Sequence, residues 1–171
     1  MAFILVTPAR EHRRAWNKLN RAFQQDKNRL ASIGNDESYG HYLRKCRNYA
    51  AGRHLPDGYV TASTFFLMEE GESKILGVIN IRHRLNDHLL NNPGGHIGYA
   101  IAPGERQRGY GTEQLRLALE ICRGMGINPV LVTCNRENTA SARVIQKNGG
   151  VLEDERVSQE GKIFQRYWIA I

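Results

Sequence analysis

Gly95 to Gly111 reads GHIGYAIAPGERQRGYG, and the other segments are placed relative to it. Ile97, Tyr99 and Ile101 alternate with small or polar residues, the two-residue period of a half-buried strand, and Pro103 stops the run. Beyond Gly111, Leu115, Ala118, Leu119 and Cys122 recur at helical spacing until Gly124 and Gly126. The stretch is therefore strand, turn, glycine-rich loop and helix start, with the helix opening near Gly109. N–H groups in the first turn of a helix have no partner within it, and two glycines without Cβ let an anion come close to them. Arg106 and Arg108 add positive charge at the same end. Such a loop is a receptor for a pyrophosphate.

Two later segments set the context. Val130 to Asn135, VLVTCN, is a second buried strand, and Asn138 to Gly150, NTASARVIQKNGG, is a helix with a glycine stop. In this order, Arg106-Gln107-Arg108-Gly109-Tyr110-Gly111 fits the Arg/Gln-x-x-Gly-x-Gly/Ala signature of the GNAT superfamily of N-acetyltransferases, and the Asn138 helix resembles that family's Asn-x-x-(Ala/Ser) element. The resemblance runs from about Leu76 to Trp168; the first third of the chain matches only in its helical character. It implies that Arg106, Gln107, Arg108, Gly109, Tyr110, Gly111 and Thr112 hold the pyrophosphate of acetyl-coenzyme A. It also implies an α/β fold of the α+β type, with a mixed twisted sheet of about seven strands and about four flanking helices. The central parallel strands, Gly95–Ala102 and Pro129–Cys134, are expected to splay apart with the pantetheine arm between them. Ile101 and Ala102 are the backbone candidates for pantetheine, and residues 1–171 are expected to form one such domain.

Composition is consistent with this. A chain of 171 residues suits one domain, 41% apolar content is ordinary for a globular protein, and no window approaches the ~20 apolar residues of a membrane span. The start, MAFILVTPAR, has a short apolar run and lacks a basic leader and a small-residue cleavage site, which argues against a signal peptide. Cys46, Cys122 and Cys134 are scattered and odd in number, which suits a reducing cytoplasm. The net charge of +7 is spread along the chain without aromatic interleaving or blocks of like charge, so steering of a polyanionic cofactor is favoured over nucleic-acid binding.

The chain in order gives β-α-α-β-β-β-α-β-α-β-β. Phe3 to Thr7 is a strand, Glu11 to Gln25 a helix with an arginine-rich outer face, Asn28 to Ser38 a polar connection, and Glu37 to Ala51 a second helix. In the family these helices wall the acceptor site; Tyr39 and Tyr42 are then either acceptor contacts or core. Strands over Tyr59–Met68 and Lys74–Arg84 form a hairpin, and Leu85 to Gly94, LNDHLLNNPG, is long enough to act as a lid. Antiparallel pairing with the Gly95 strand gathers Arg82, His83, Asn86 and His96 where an acceptor enters. Val151–Val157 and Ile163–Ile169 are the last strands.

Acyl transfer to an amine needs a neutral nucleophile, an oxyanion donor, a proton for the thiolate and alignment. His96 stands where many relatives carry a glutamate, two residues before Gly98-Tyr99, and is either the base or a structural residue. Many relatives use a tyrosine seven residues beyond Asn138, and here that place is Ile145. Ser141 stands where ribosomal-protein N-terminal acetyltransferases have a serine, and is a cofactor contact or a proton donor. Asn138 is a pantetheine contact, a helix cap, or both. His83, His88 and His96 have no metal-ligand spacing, so no metal is expected. The resemblance implies an N-acetyltransferase with a small amine or a protein N-terminus as acceptor, attacked directly in a ternary complex, and a homodimer is common in the family. The alternative is a GNAT-like domain that binds coenzyme A as a sensor or interaction module.

Overall fold

A computed structural model describes residues 1–27 and 35–171. The polar connection expected from Asn28 to Ser38 falls largely on residues 28–34, outside the described residues. In chain order the elements are β1 (Phe3–Val6), a 3-10 turn (Arg10–His12), α1 (Arg13–Gln24), α2 (Tyr39–Ala50), β2 (Ala62–Glu69), β3 (Ile75–Arg82), α3 (Asp87–Asn91), β4 (Ile97–Ile101), α4 (Tyr110–Gly124), β5 (Val130–Asn135), α5 (Thr139–Lys147), β6 (Val151–Val157) and β7 (Ile163–Ile169).

The strands form one mixed seven-stranded sheet in the order β1-β2-β3-β4-β5-β7-β6. Its β4–β5 pair is parallel and every other neighbouring pair is antiparallel. Alternation along the strands gives the sheet two buried faces. Val78, Phe66 and Met68 pack with Trp16, Phe23, Tyr39 and Tyr42 of α1 and α2. On the opposite face Ile79, Ile81 and Ile97 pack with Leu115, Leu119 and Ile145 of α4 and α5.

The segment Leu85–Gly94, expected as a loop, contains the short helix α3, which brings the α-helices among the described residues to five. Asn86 caps it, its side chain accepting from the Leu89 N–H, and Asp87 in the first turn complements the helix dipole. Five residues are too few to show a helical period, so only the cap was there to be read.

After α3 the chain reaches β4 through Gly94 and Gly95. Gly95 has φ +58°, and a Cβ there would lie 2.5 Å from the Leu131 carbonyl oxygen. Only glycine permits both this backbone conformation and this approach. The approach brings β4 alongside β5.

Candidate active site

The two parallel strands touch only at their beginnings. Ile97 pairs with Val132, and the His96 N–H donates to the Leu131 carbonyl at 2.8 Å. Beyond this point β4 stays paired with β3 and β5 with β7, so Gly98–Ile101 and Thr133–Asn135 separate as each follows its own outer neighbour. Hydrogen bonds between Arg82 N–H and His96 O, and between Ala102 N–H and Leu76 O, mark the residues of β4 that face β3. By alternation, the N–H and C=O groups of Tyr99 and Ile101 point across the gap. Ala102 is tied on both sides, since its carbonyl also accepts from Glu105 N–H. Of the two backbone candidates, Ile101 presents its N–H to the gap and Ala102 does not.

The gap opens towards the glycine-rich loop. Gly109 is the N-terminal cap of α4 with φ +83°, and Gln107 also has a positive φ of 64°. These turns direct the loop amides outward. None of the N–H groups from Arg106 to Thr112 has an acceptor among the described residues. The Thr112 carbonyl, by contrast, accepts from Asn148 Nδ2 at 3.1 Å. The loop arginines are already engaged, with Arg106 on Asp26 at 2.6 Å and Arg108 on Glu105 at 3.1 Å. The loop therefore offers main-chain amides at a helix N-terminus, the arrangement that favours a phosphate. Tyr110 packs edge-on against Phe3 and anchors the start of α4.

Midway along the gap, the Tyr99 hydroxyl lies 2.8 Å from Ser141 Oγ. Ser141 sits in the first turn of α5, where its N–H donates to the side chain of Asn138, the helix cap. Asn138 therefore fills the capping role, with its amide nitrogen exposed. Burial pushes the Tyr99 phenol up to about 12, opposed by the hydrogen bond with Ser141, so it stays protonated at neutral pH. Cys134 lies beside this pair, its Sγ donating weakly to Gln165 Oε1 at 3.9 Å. Burial, opposed by the Ser141 hydroxyl, raises its thiol and so favours the protonated form.

His96 is 7% exposed, and its Nδ1 accepts from the Leu131 N–H at 2.9 Å. That bond assigns the proton of the neutral ring to Nε2. Burial, and then the nearby Arg82 charge, pull its pKa down to about 4. The ring's free lone pair is thus spent on joining β4 to β5. To act as a base it has to break that bond first.

On the α1–α2 face a cavity of about 580 Å³ runs from α2 and α3 to Gly98 and Tyr99 of β4. Arg82 lines it, together with Asn80, Thr64, Tyr42, Tyr49 and Tyr59. The other residues expected at the acceptor mouth serve elsewhere. His83 Nε2 is 2.7 Å from Ser63 Oγ, Asn86 caps α3 and donates to Gly58 O, and Tyr39 is core, its hydroxyl donating to Ala9 O at 2.6 Å. Tyr49, Tyr59 and the Tyr99 hydroxyl escaped the sequence reading, because only strand face and helix rotation separate them from core tyrosines. Among the described residues no group of three or more His, Cys, Asp or Glu side chains is placed to hold a metal. No helix among them is long and apolar enough to cross a membrane.

Residues 8–151 match the family described as the acetyltransferase (GNAT) domain. The chain belongs to the GNAT acetyltransferase family. A search of curated proteins finds no match. Solved structures share the fold at low identity. RimL, the ribosomal L7/L12 α-N-protein acetyltransferase solved with coenzyme A, is 17% identical with a TM-score of 0.71, over 100% of this chain and 95% of its own. A GNAT-family acetyltransferase from Bacillus anthracis is 17% identical with a TM-score of 0.68, covering 99% and 95%. The microcin C7 self-immunity acetyltransferase MccE, solved with acetyl-CoA and AMP, is 15% identical with a TM-score of 0.68, covering 99% and 92%. In this GNAT chain β4 leads from the gap beside β5 into the glycine-rich loop that opens α4.

Proposed function

We propose that residues 1–171 act as a single acetyl-coenzyme A-dependent N-acetyltransferase domain, passing the acetyl group to a primary amine by direct attack in a ternary complex. The observation that carries this reading is the parting of β4 from β5 beyond Ile97 and Val132, with N–H groups on the β4 edge and at the mouth of α4 that find no acceptor among the described residues. RimL and MccE, solved with coenzyme A and acetyl-CoA, share this fold. The thioester supplies an activated acetyl carbon: the amine nitrogen bonds to it and sheds a proton to solvent, the C–S bond breaks, and the sulfur leaves as a thiolate that takes up a proton.

Each part of this chain has a role in that step. The loop amides of Arg106–Thr112 bind the pyrophosphate, and the N–H of Ile101 aligns the pantetheine arm as an added strand edge. The Tyr99 N–H faces the reacting carbonyl and steadies its oxyanion. The Tyr99–Ser141 hydroxyl pair donates a hydrogen bond to the leaving sulfur, and the side-chain amide of Asn138 contacts the arm. A phenol near 12 facing a thiol near the ordinary ~8.5 makes complete proton transfer uphill by roughly three pH units. The pair therefore stabilises the thiolate, and solvent completes its protonation. His96 offers no free lone pair, so the acceptor amine gives up its ammonium proton to solvent before it attacks.

Calorimetry with acetyl-coenzyme A, followed by thiol release with a panel of peptides, amino acids, polyamines and aminoglycosides, tests the proposal. Binding together with amine-dependent thiol release supports it. Binding without release from any amine points to the sensor alternative, and no binding overturns both.

A further inference from the structure

We propose that the acceptor carries an oxyanion, a carboxylate or a phosphate, a few bonds from its amine, and that Arg82 is the residue that selects for it. This rests on the acyl-transfer reading above.

The cavity on the α1–α2 face has no aspartate or glutamate among its lining residues. Its lysine, Lys45, is already held by Glu37 at 2.8 Å. Arg82 is different. Its Nη1 donates to the carbonyls of Gly94 and Gly95 at 3.1 and 3.2 Å, and no carboxylate pairs with it among the described residues. Its Nη2 and Nε have no protein acceptor there either. The arginines of the loop and of β7, by comparison, are matched with acids, as in Arg106–Asp26 and Arg166–Glu153. A half-buried guanidinium without a counter-charge is costly, and its planar fork suits a two-oxygen anion. The cavity is thus a positively charged chamber whose fixed cation is offered to whatever enters.

Position sets the chemistry of the rest of the ligand. Both Arg82 Nη atoms lie 3.8 Å from where a Cβ on Gly98 would stand, so the guanidinium rests over β4 at Gly98. The next residue, Tyr99, faces the gap where the amine must meet the thioester. One residue of strand is about 3.3 Å, so amine and oxyanion are separated by only a few bonds. Tyr42, Tyr49 and Tyr59 form the outer wall, and Tyr49 and Tyr59 meet edge to face at 6.0 Å. That wall receives an apolar or aromatic remainder. A polyamine finds no carboxylate to hold its second cation and meets the Arg82 charge instead. Amino acids and aminoalkyl phosphates fit; polyamines and aminoglycosides do not.

The test uses matched pairs under acetyl-coenzyme A: α-amino acids against their carboxamides, phosphoethanolamine against ethanolamine, and spermidine as the polycation. The expected result is a kcat/KM about 10- to 100-fold higher for the anionic member of one series, the size of one charge-assisted contact. The preferred series identifies carboxylate or phosphate. In Arg82→Gln that ratio falls to about 1, through KM rather than kcat. Preference for neutral members or for spermidine overturns the proposal, as does an Arg82→Gln variant that loses both members of a pair equally, since that marks a structural role. Wild-type protein saturated with coenzyme A provides a measurement that needs neither turnover nor a variant. Calorimetric titration with N-acetyltyrosine, N-acetyltyrosinamide and N-acetylphosphoethanolamine should show the anionic ligands binding more tightly. Tight binding of an anionic ligand without any turnover keeps the anion site and rejects acyl transfer. Equal or absent binding by the anionic ligands rejects the anion site whatever the turnover.

Discussion

The hydroxyl of Tyr99 on β4 is hydrogen-bonded to that of Ser141 on α5, 2.8 Å away and 42 residues later in the chain. The pair joins β4 to the first turn of α5. In Tyr99→Phe or Ser141→Ala, kcat should fall about tenfold, the worth of a single hydrogen bond to the thiolate. The double variant should lose little more than either single one, because the two groups act as one unit. Steady-state kinetics on the three variants checks this. A loss of three orders of magnitude in Tyr99→Phe would instead make it a full proton donor.

His96 predicts a pH dependence of stability. Its folded pKa of about 4 lies below the ordinary value of about 6.5. Between these values the unfolded chain takes up a proton that the folded protein refuses, so stability falls as pH drops from 6.5 to 4 and is fully present above 6.5. The contribution is about 3 kcal/mol. Urea unfolding at pH 7.5 and 4.5 should show His96→Ala weaker than wild type at the higher pH, with a flatter loss on acidification. A limb in the rate profile near pH 6.5 that disappears in His96→Ala would return this residue to the base role.

Gly109 and Gly111 control the loop. Gly109 has φ +83°, and a Cβ on Gly111 would sit 3.3 Å from Val144 Cγ2 and 3.6 Å from Ile101 Cγ1. Valine at both positions strains the cap of α4 and wedges bulk between α4, α5 and β4. Calorimetry should then detect no coenzyme A binding while circular dichroism stays close to wild type. Retained affinity would move the pyrophosphate elsewhere.

Gly95→Ala tests what joins the central strands. The new Cβ meets the Leu131 carbonyl at 2.5 Å in a left-handed backbone conformation. Destabilisation of about 2–4 kcal/mol is expected from the clash and the strain together. Chemical denaturation measures it, and a loss under 1 kcal/mol would show that the β4–β5 start readily gives way.

Local signals carried much of the architecture. Helix α5 and strands β6 and β7 stand where periodicity and the Asn138 cap placed them. The strand–loop–helix around Gly109 follows from alternation, proline and glycine, all properties of neighbouring residues. α3 was missed because one helical turn has no period.

The sequence by itself determined most segments and the glycine loop, because caps, breakers and hydrophobic periods act within a few residues; its motifs at Arg106–Gly111 and Asn138 carried the family resemblance. Only the tertiary structure decided what each polar side chain does. Tyr39 went to the core and Tyr49 and Tyr59 to the cavity, while Tyr99 met Ser141 and His96 gave its lone pair to Leu131. Those outcomes depend on which face of the sheet a residue occupies and on which strand lies beside it. Register and sheet order bring together residues distant in the chain, and no local pattern encodes that meeting.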